Sequence, residues 1–233
     1  LIIENRLVCA GSKDNGYVYL QPYGNHAIIR GEIPPERDDF VLKASIPDPP
    51  LLSALLLKQA LEERGISVED HATSLRLSGD IKNEFMGSPK TVITTSWSPP
   101  LSGIIKKTNT ESLNMYAEQL LKYIAYRSER KEYTSKEDGI NVIEEYLDYL
   151  MEDKSGLYMT DGSGLSRSNA ISSKFITSFL HIMNTGNRYS DVFYNSLAEA
   201  GKTGTLEHYF KDPVFNGRLR AKSGTSARIR NYA

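Results

Sequence analysis

The chain has 233 residues, 39% hydrophobic and 24% charged, which is enough for one large domain or two small ones of ordinary globular composition. Its 28 basic and 29 acidic side chains leave a formal charge of −1, which excludes a broad electrostatic grip on nucleic acid or on an anionic membrane. No apolar run approaches the roughly 20 residues of a spanning helix, and His26, His71, His181 and His208 are far apart and show no zinc spacing.

Leu1 is not an initiator methionine, so the chain reads as a processed or trimmed piece in which a missing signal peptide carries little meaning. The single cysteine, Cys9, lies in the apolar run Leu7-Val8-Cys9-Ala10 and is expected to be a buried, inert thiol. The first part of the chain is strand-like, with Tyr17–Leu20 and Ala27–Arg30 between Gly and Asn turn signals and Phe40–Ala44 as another candidate. A helix follows, capped by Asp48, with Pro49 in its first position, Gly65 at its end and Leu51, Leu55, Lys58 and Leu61 along one side. After a polar region through about Gly87, the β-branched run Thr91–Thr95 predicts a strand, and Ser98-Pro99-Pro100 breaks it.

Beyond that point the pattern turns helical. Leu113, Tyr116, Ala117, Leu120, Leu121 and Ile124 predict an amphipathic helix from about Ser112 to Arg127. Arg127–Glu137 is a charged turn region, Val142–Met151 a second helix, and Ile171–Met183 a third. Between the last two lies the Gly-rich turn Asp161-Gly162-Ser163-Gly164-Leu165-Ser166-Arg167. Arg218–Thr225 alternates as a strand does, with Ala227–Tyr232 as its antiparallel neighbour. A boundary falls near Thr95 to Pro100.

Lys222-Ser223-Gly224-Thr225 carries the clearest chemistry. A site that cleaves a peptide next to its terminal carboxylate needs a fixed cation, here Lys222. It also needs a strand edge on which the substrate lies as an added strand. Gly224 permits close approach, and the Thr225 N–H can donate to a developing oxyanion. The competing reading is a basic surface strand. Gly201-Lys202-Thr203-Gly204-Thr205 is the more literal copy, but Leu197–Ala200 before it and Thr205–Glu207 after it read as helical, so it falls in a loop. A phosphate-binding loop at Lys202 would need Gly where Ser196 stands.

Ser112-Leu113-Asn114 is the single Ser-x-Asn. Ser112 can relay a proton to a leaving amine, and Asn114 can hold a substrate amide. By spacing alone, Ser112 is better explained as the cap of the following helix. Ser128-Glu129-Arg130-Lys131 matches Ser-x-x-Lys formally, but its charged surroundings would not depress a lysine pKa.

Taken in order, Tyr23-Gly24-Asn25, Ser45–Pro49, Ser98–Leu101, Asn114–Leu121, Asp161–Arg167 and Gly217–Thr225 resemble the class C low-molecular-mass penicillin-binding proteins. These form the D-alanyl-D-alanine carboxypeptidase/endopeptidase (peptidase S13) family, and the resemblance covers nearly the whole chain. It implies an α/β (α+β) class: a transpeptidase/β-lactamase-like antiparallel sheet with flanking helices, plus a smaller strand-rich accessory region. Residues 1–95 would be the accessory region, and 96–233 an incomplete penicillin-binding domain. The implied enzyme is a periplasmic serine peptidase that acts on peptidoglycan stem peptides through a penicillin-sensitive acyl-enzyme, with no cofactor. Its partners would be stem peptides and β-lactams, not nucleic acid.

On this resemblance Ser112, Asn114 and Lys222 are catalytic, and Ser223, Gly224, Thr225, Gly164 and Arg167 bind substrate. Leu113 stands where the family usually has Asp, a position without chemistry of its own. The nucleophilic Ser-x-x-Lys is expected before Leu1, which would leave this portion inactive by itself. A non-catalytic cell-wall-binding relative, and a β-lactamase or esterase on the same fold, are the other readings.

Overall fold

A computed structural model describes residues 2–12, 15–35, 40–77, 91–129, 134–151, 153–185, 188–226 and 229–233. They fall into two compact units, Leu1–Thr94 and Thr95–Ala233.

The first unit holds a three-stranded sheet in the order β1 (Ile2–Cys9), β3 (His26–Ile33), β2 (Tyr17–Leu20). β2 runs antiparallel to β3, and β1 runs parallel to it. Tyr17–Leu20 and Ala27–Arg30 are strands as expected. Cys9 is not buried: it ends an outer strand and is exposed. Phe40–Ala44 joins no ladder, and neither does Thr91–Thr95, where Val92 and Ile93 are 78% and 96% exposed. β-branched propensity describes fit to a half-buried pleated surface, and among the described residues neither run has a neighbouring strand to supply one.

Helix α1 (Pro49–Glu62) forms as its punctuation predicts. The Leu51 N–H donates to Asp48 Oδ1 at 3.2 Å, and Gly65 turns left-handed at φ +77°. Asp48 is itself held by Arg76 Nη2 at 2.6 Å, which keeps its carboxyl below the usual range, and Arg76 lies 3.9 Å from the Tyr23 ring centroid. The stripe differs slightly from expectation: Leu51, Ala54, Lys58 and Leu61 are half-buried, while Leu55 is exposed. Of the polar region after α1, residues 78–87 lie outside the described set.

The second unit opens with α2 (Leu101–Glu111), a helix that no sequence pattern announced. Pro99 and Pro100, read only as the end of the preceding run, also open this helix: Pro100, extended at ψ 150°, is the N-cap residue. Its missing N–H costs nothing at a helix start. Then come α3 (Asn114–Glu129), α4 (Lys136–Leu150), α5 (Ser173–Thr185) and α6 (Ser190–Ser196). α4 begins six residues before the expected Val142, because Ser135 and Asp138 form a reciprocal capping box.

α3 and α4 pack closely enough that a Cβ on Gly139 would strike the Leu121 carbonyl oxygen. Leu147, Met151 and Phe175 form a core between α4 and α5, with Ile143, Phe179 and Ile182 against it. Short antiparallel pairs complete the unit: β4 (Leu157–Tyr158) with β5 (Ala170–Ile171), β6 (Ala198–Glu199) with β7 (Arg220–Ala221), and β8 (Ser223–Ser226) with β9 (Ile229–Tyr232). The expected final hairpin is therefore present, with Ala227 and Arg228 outside the described residues. Leu197–Ala200 is not helical as read: α6 ends at Ser196, and Ala198 and Glu199 pair with Ala221 and Arg220.

Candidate active site

α2 ends at Ser112, which adopts a left-handed conformation (φ 56°, ψ 53°) that costs a non-glycine residue on the order of 1 kcal/mol. The Ser112 and Leu113 N–H groups both return to the Thr108 carbonyl, and the Leu113 carbonyl opens α3. Ser112 thus closes the preceding helix; the expectation that it caps the following one is not what the backbone does. The bend is anchored across the unit: Asn109 Nδ2 donates to Ser196 Oγ at 2.8 Å, and Thr110 Oγ1 donates to the Ser196 carbonyl at 2.8 Å. Ser196 is fully buried, so α2 is pinned to the end of α6 directly before β6.

β6 pairs with β7, and β7 leads into Lys222. Lys222 Nζ donates to Ser112 Oγ at 2.7 Å and to the Ser223 carbonyl at 2.6 Å. The two elements are 110 positions apart in sequence and share one hydrogen bond. Burial pushes the Lys222 ammonium below its usual pKa, since desolvation penalises the charged form. A cation that gives up its proton more readily, in contact with a hydroxyl, is the arrangement proton relay requires.

Lys202 differs in every respect. It is exposed, and its ammonium is paired with Glu199 Oε1 at 2.6 Å. It lies in a turn leading into a 3₁₀ segment, Gly204–Leu206. Glu199 also takes Arg220 Nη2 at 2.8 Å, clamping β6 to β7. The hydrogen bond from Lys202 holds the Glu199 carboxyl below its usual range, against partial desolvation and with help from both cationic charges. A depressed folded pKa contributes stability that is complete above the unfolded value of 4.5 and is lost as pH falls through the folded value. The melting temperature is therefore expected to hold from pH 7 to about 5 and fall below about 4.5. Calorimetry should find a shallower acid limb in Glu199→Gln; an unchanged limb refutes the assignment.

The β8–β9 register decides which backbone groups face out. Lys222 and Ala233 exchange both N–H···O=C bonds, at 2.7 and 3.1 Å. Antiparallel pairs alternate, so Gly224↔Asn231 is the next bonded pair, while Ser223↔Tyr232 and Thr225↔Arg230 are not bonded to each other. The N–H and C=O groups of Ser223 and Thr225 therefore point to the outer edge of β8, which pairs with no strand among the described residues. A Cβ on Gly224 would meet Asn231 Oδ1, the end of a side chain on the paired strand.

The Gly-rich turn is built around two carboxylates. Asp161 Oδ1 accepts from the Gly164 N–H at 2.7 Å and Asn169 Nδ2 at 2.9 Å, and Oδ2 accepts from the Ser166 N–H at 2.6 Å. Desolvation raises the Asp161 pKa, but these bonds outweigh it and the net shift is downward. Ser163 donates through N–H and Oγ to Glu118 Oε1, at 3.0 and 2.6 Å. Glu118 is one turn beyond Asn114 on α3, so the turn lies against the face that carries Asn114. Gly164 sits at φ +76°, and Arg167 is exposed.

Lys222 is therefore in direct contact with both Ser112 and Ser223. Gly164 and Arg167 reach the same neighbourhood only through Glu118 and α3. Ser128 is near the far end of α3, roughly 21 Å from Asn114 at 1.5 Å per residue, and its Lys131 lies outside the described residues. Sequence reasoning missed Asn109, Thr110, Glu118 and Ser196, whose roles are contacts with distant residues and leave no local pattern.

Among the described residues no helix is long and apolar enough to cross a membrane, and no His/Cys/Asp/Glu group could hold a metal ion. A search of protein families matches residues 6–233 to the D-Ala-D-Ala carboxypeptidase 3 (S13) family. A D-alanyl-D-alanine carboxypeptidase of Actinomadura sp. (strain R39) is 26% identical over 234 residues, covering 97% of this chain and 42% of that protein. A penicillin-sensitive carboxypeptidase A of Dictyostelium discoideum is 32% identical over 133 residues, covering 55% of this chain and 24% of that protein. Two crystal structures of Haemophilus influenzae penicillin binding protein 4, one with a bound β-lactam, superpose at TM-scores of 0.75 and 0.76 with 19% and 18% identity. Each covers all of this chain, which spans about half the length of those structures and less than half of the curated relatives. The fold is thus the mixed helix and strand fold of the penicillin-binding proteins, and the chain belongs to the D-Ala-D-Ala carboxypeptidase 3 (S13) family.

Proposed function

We propose that the protein carrying this chain is a penicillin-sensitive serine-type D-Ala-D-Ala carboxypeptidase/endopeptidase that cleaves peptidoglycan stem peptides in the periplasm. The carrying observation is the 2.7 Å contact between Lys222 Nζ and Ser112 Oγ. The relatives named for D-alanyl-D-alanine and penicillin-sensitive carboxypeptidases support the same reading. Residues 96–233 are the penicillin-binding domain, and residues 1–95 belong to an accessory region.

In this mechanism a serine oxygen attacks the carbonyl carbon between the two terminal D-alanines, losing its proton to a neighbouring lysine. The substrate lies along the outer edge of β8 as an added strand, with its terminal carboxylate on Lys222, Ser223 and Thr225. The Thr225 N–H, which points to that edge, donates to the oxyanion. Collapse of the tetrahedral adduct breaks the C–N bond. Ser112 Oγ–H gives its proton to the leaving amine and is reprotonated from Lys222 Nζ, and the proton that the attacking serine left on its lysine restores the Lys222 ammonium. Asn114 holds the substrate amide, and Gly164 and Arg167 border the stem-peptide side chain. Water then hydrolyses the ester and frees the serine. Ser128 is too far along α3 to be that nucleophile, which we place outside these 233 residues.

Mass spectrometry of the whole protein after penicillin treatment tests this. One serine of a Ser-x-x-Lys is expected to carry a persistent penicilloyl adduct. No adduct on any serine overturns the enzyme in favour of a non-catalytic wall-binding relative, and an adduct that clears within seconds overturns it in favour of a β-lactamase.

A further inference from the structure

The loop Gly201–Leu206, left over as a second Lys-Thr-Gly-Thr copy without catalytic geometry, makes one contact that its exposed lysine does not explain. Ser223 Oγ–H donates to Thr205 Oγ1 at 2.7 Å, hydroxyl to hydroxyl. We propose that Thr205 is a positioning residue: it orients the Ser223 hydroxyl toward the carboxylate of ligands that end in one. The inference rests on the proposed peptidase site.

Ser223 is on an edge strand, where a serine side chain has three staggered wells and a freely turning hydroxyl. A fixed neighbour removes that freedom. Thr205 is fixed because its loop is wedged on both sides. Gly204, at φ +53°, is pressed against the Thr110 carbonyl oxygen so closely that a Cβ would collide with it. Thr110 is two residues before Ser112, at the same helix end. On the other side Leu206 is fully buried with Ala198 and Ala221, directly beneath β6 and β7. The Gly201 N–H donates to the Leu206 and Tyr209 carbonyls at 3.0 and 2.9 Å, and the Glu199 N–H donates to Thr203 Oγ1 at 2.9 Å.

The loop is thus a bracket between the end of α2 and the strand of Lys222. A bound carboxylate reverses this pair: the Ser223 proton turns to the carboxylate, Thr205 turns to donate to Ser223 Oγ, and a chain of hydrogen bonds polarised in one direction strengthens the last bond. An uncharged ligand end gains far less from an aimed donor, so the effect concerns ligands with a free terminal carboxylate.

The test compares benzylpenicillin with its methyl ester on the whole protein, measuring second-order acylation constants for wild type, Thr205→Val and Thr205→Ser. Valine keeps the shape and removes the hydroxyl. Thr205→Val is expected to lower the acid-to-ester rate ratio about fivefold, the worth of one ordinary hydrogen bond. Thr205→Ser restores the ratio, and in a Ser223→Ala background Thr205→Val leaves it unchanged. General damage would slow acid and ester in proportion, so a wild-type ratio in Thr205→Val overturns the positioning role. A wild-type protein that forms no adduct with either compound instead overturns the peptidase reading beneath it.

Discussion

Replacing Lys222 with methionine is expected to slow acylation of the whole protein by penicillin about 10²- to 10⁴-fold, the range spanned by one positioned acid or base. Methionine keeps most of the length and apolar volume of the lysine stem, so the half-buried slot beside Ser112 stays filled. The ammonium is what disappears: the donor to Ser112 Oγ at 2.7 Å and the cation for the ligand carboxylate. Its partners are a hydroxyl and a carbonyl rather than a carboxylate, and burial already weakens its hold on the proton. Its loss therefore strands no buried counter-charge, and the melting temperature should move little. Stopped-flow labelling with a fluorescent penicillin reads the rate, and a Lys222→Met protein within threefold of wild type refutes the assignment. Lys202→Met, on the exposed copy, should leave the rate unchanged.

Leu206→Ala is expected to carry the largest stability loss, about 2–5 kcal/mol. Leu206 is fully buried, and two of its core neighbours, Ala198 and Ala221, are too small to lean into the space a lost side chain leaves. Their backbones are paired as β6 and β7, which resists collapse. For a chain of this size, that corresponds to a drop on the order of 10 °C in the transition of the second unit. Leu57→Ala provides the contrast. Leu57 is 62% exposed on α1, and its truncation should stay within about 0.5 kcal/mol. Equal losses at both sites, measured by urea denaturation, would show that the cluster at Leu206 is not a core.

Some of the fold was open to reading because its causes are local. Asp48-Pro49 and Gly65 delimit α1 through bonds that span only a few residues. The apolar spacing from Leu113 to Leu121 marks the buried face of α3. Tyr17–Leu20 and Ala27–Arg30 alternate and are bounded by turns. The misreadings also have causes. α2 begins after two prolines and carries Gly103 and polar residues, and it is helical because Thr108 packs inward and Thr110 and Asn109 bond to Ser196. Thr91–Thr95 and Phe40–Ala44 have strand composition but no strand beside them among the described residues, and Cys9, with apolar neighbours in sequence, is exposed.

By itself the sequence determined the family, through ordered motifs from Tyr23-Gly24-Asn25 to Lys222-Ser223-Gly224-Thr225. It also determined the elements whose hydrogen bonds close within a turn or a hairpin. Only the tertiary structure decided that Ser112 ends a helix instead of starting one, that its hydroxyl meets Lys222 across 110 positions, and that Thr205 of the Lys202 loop touches Ser223 of the Lys222 strand. The physical reason is the range of the interactions. Caps, periodicity and turns are set by neighbours along the chain, whereas a shared hydrogen bond between distant side chains depends on how helices and strands pack, and no short pattern encodes that.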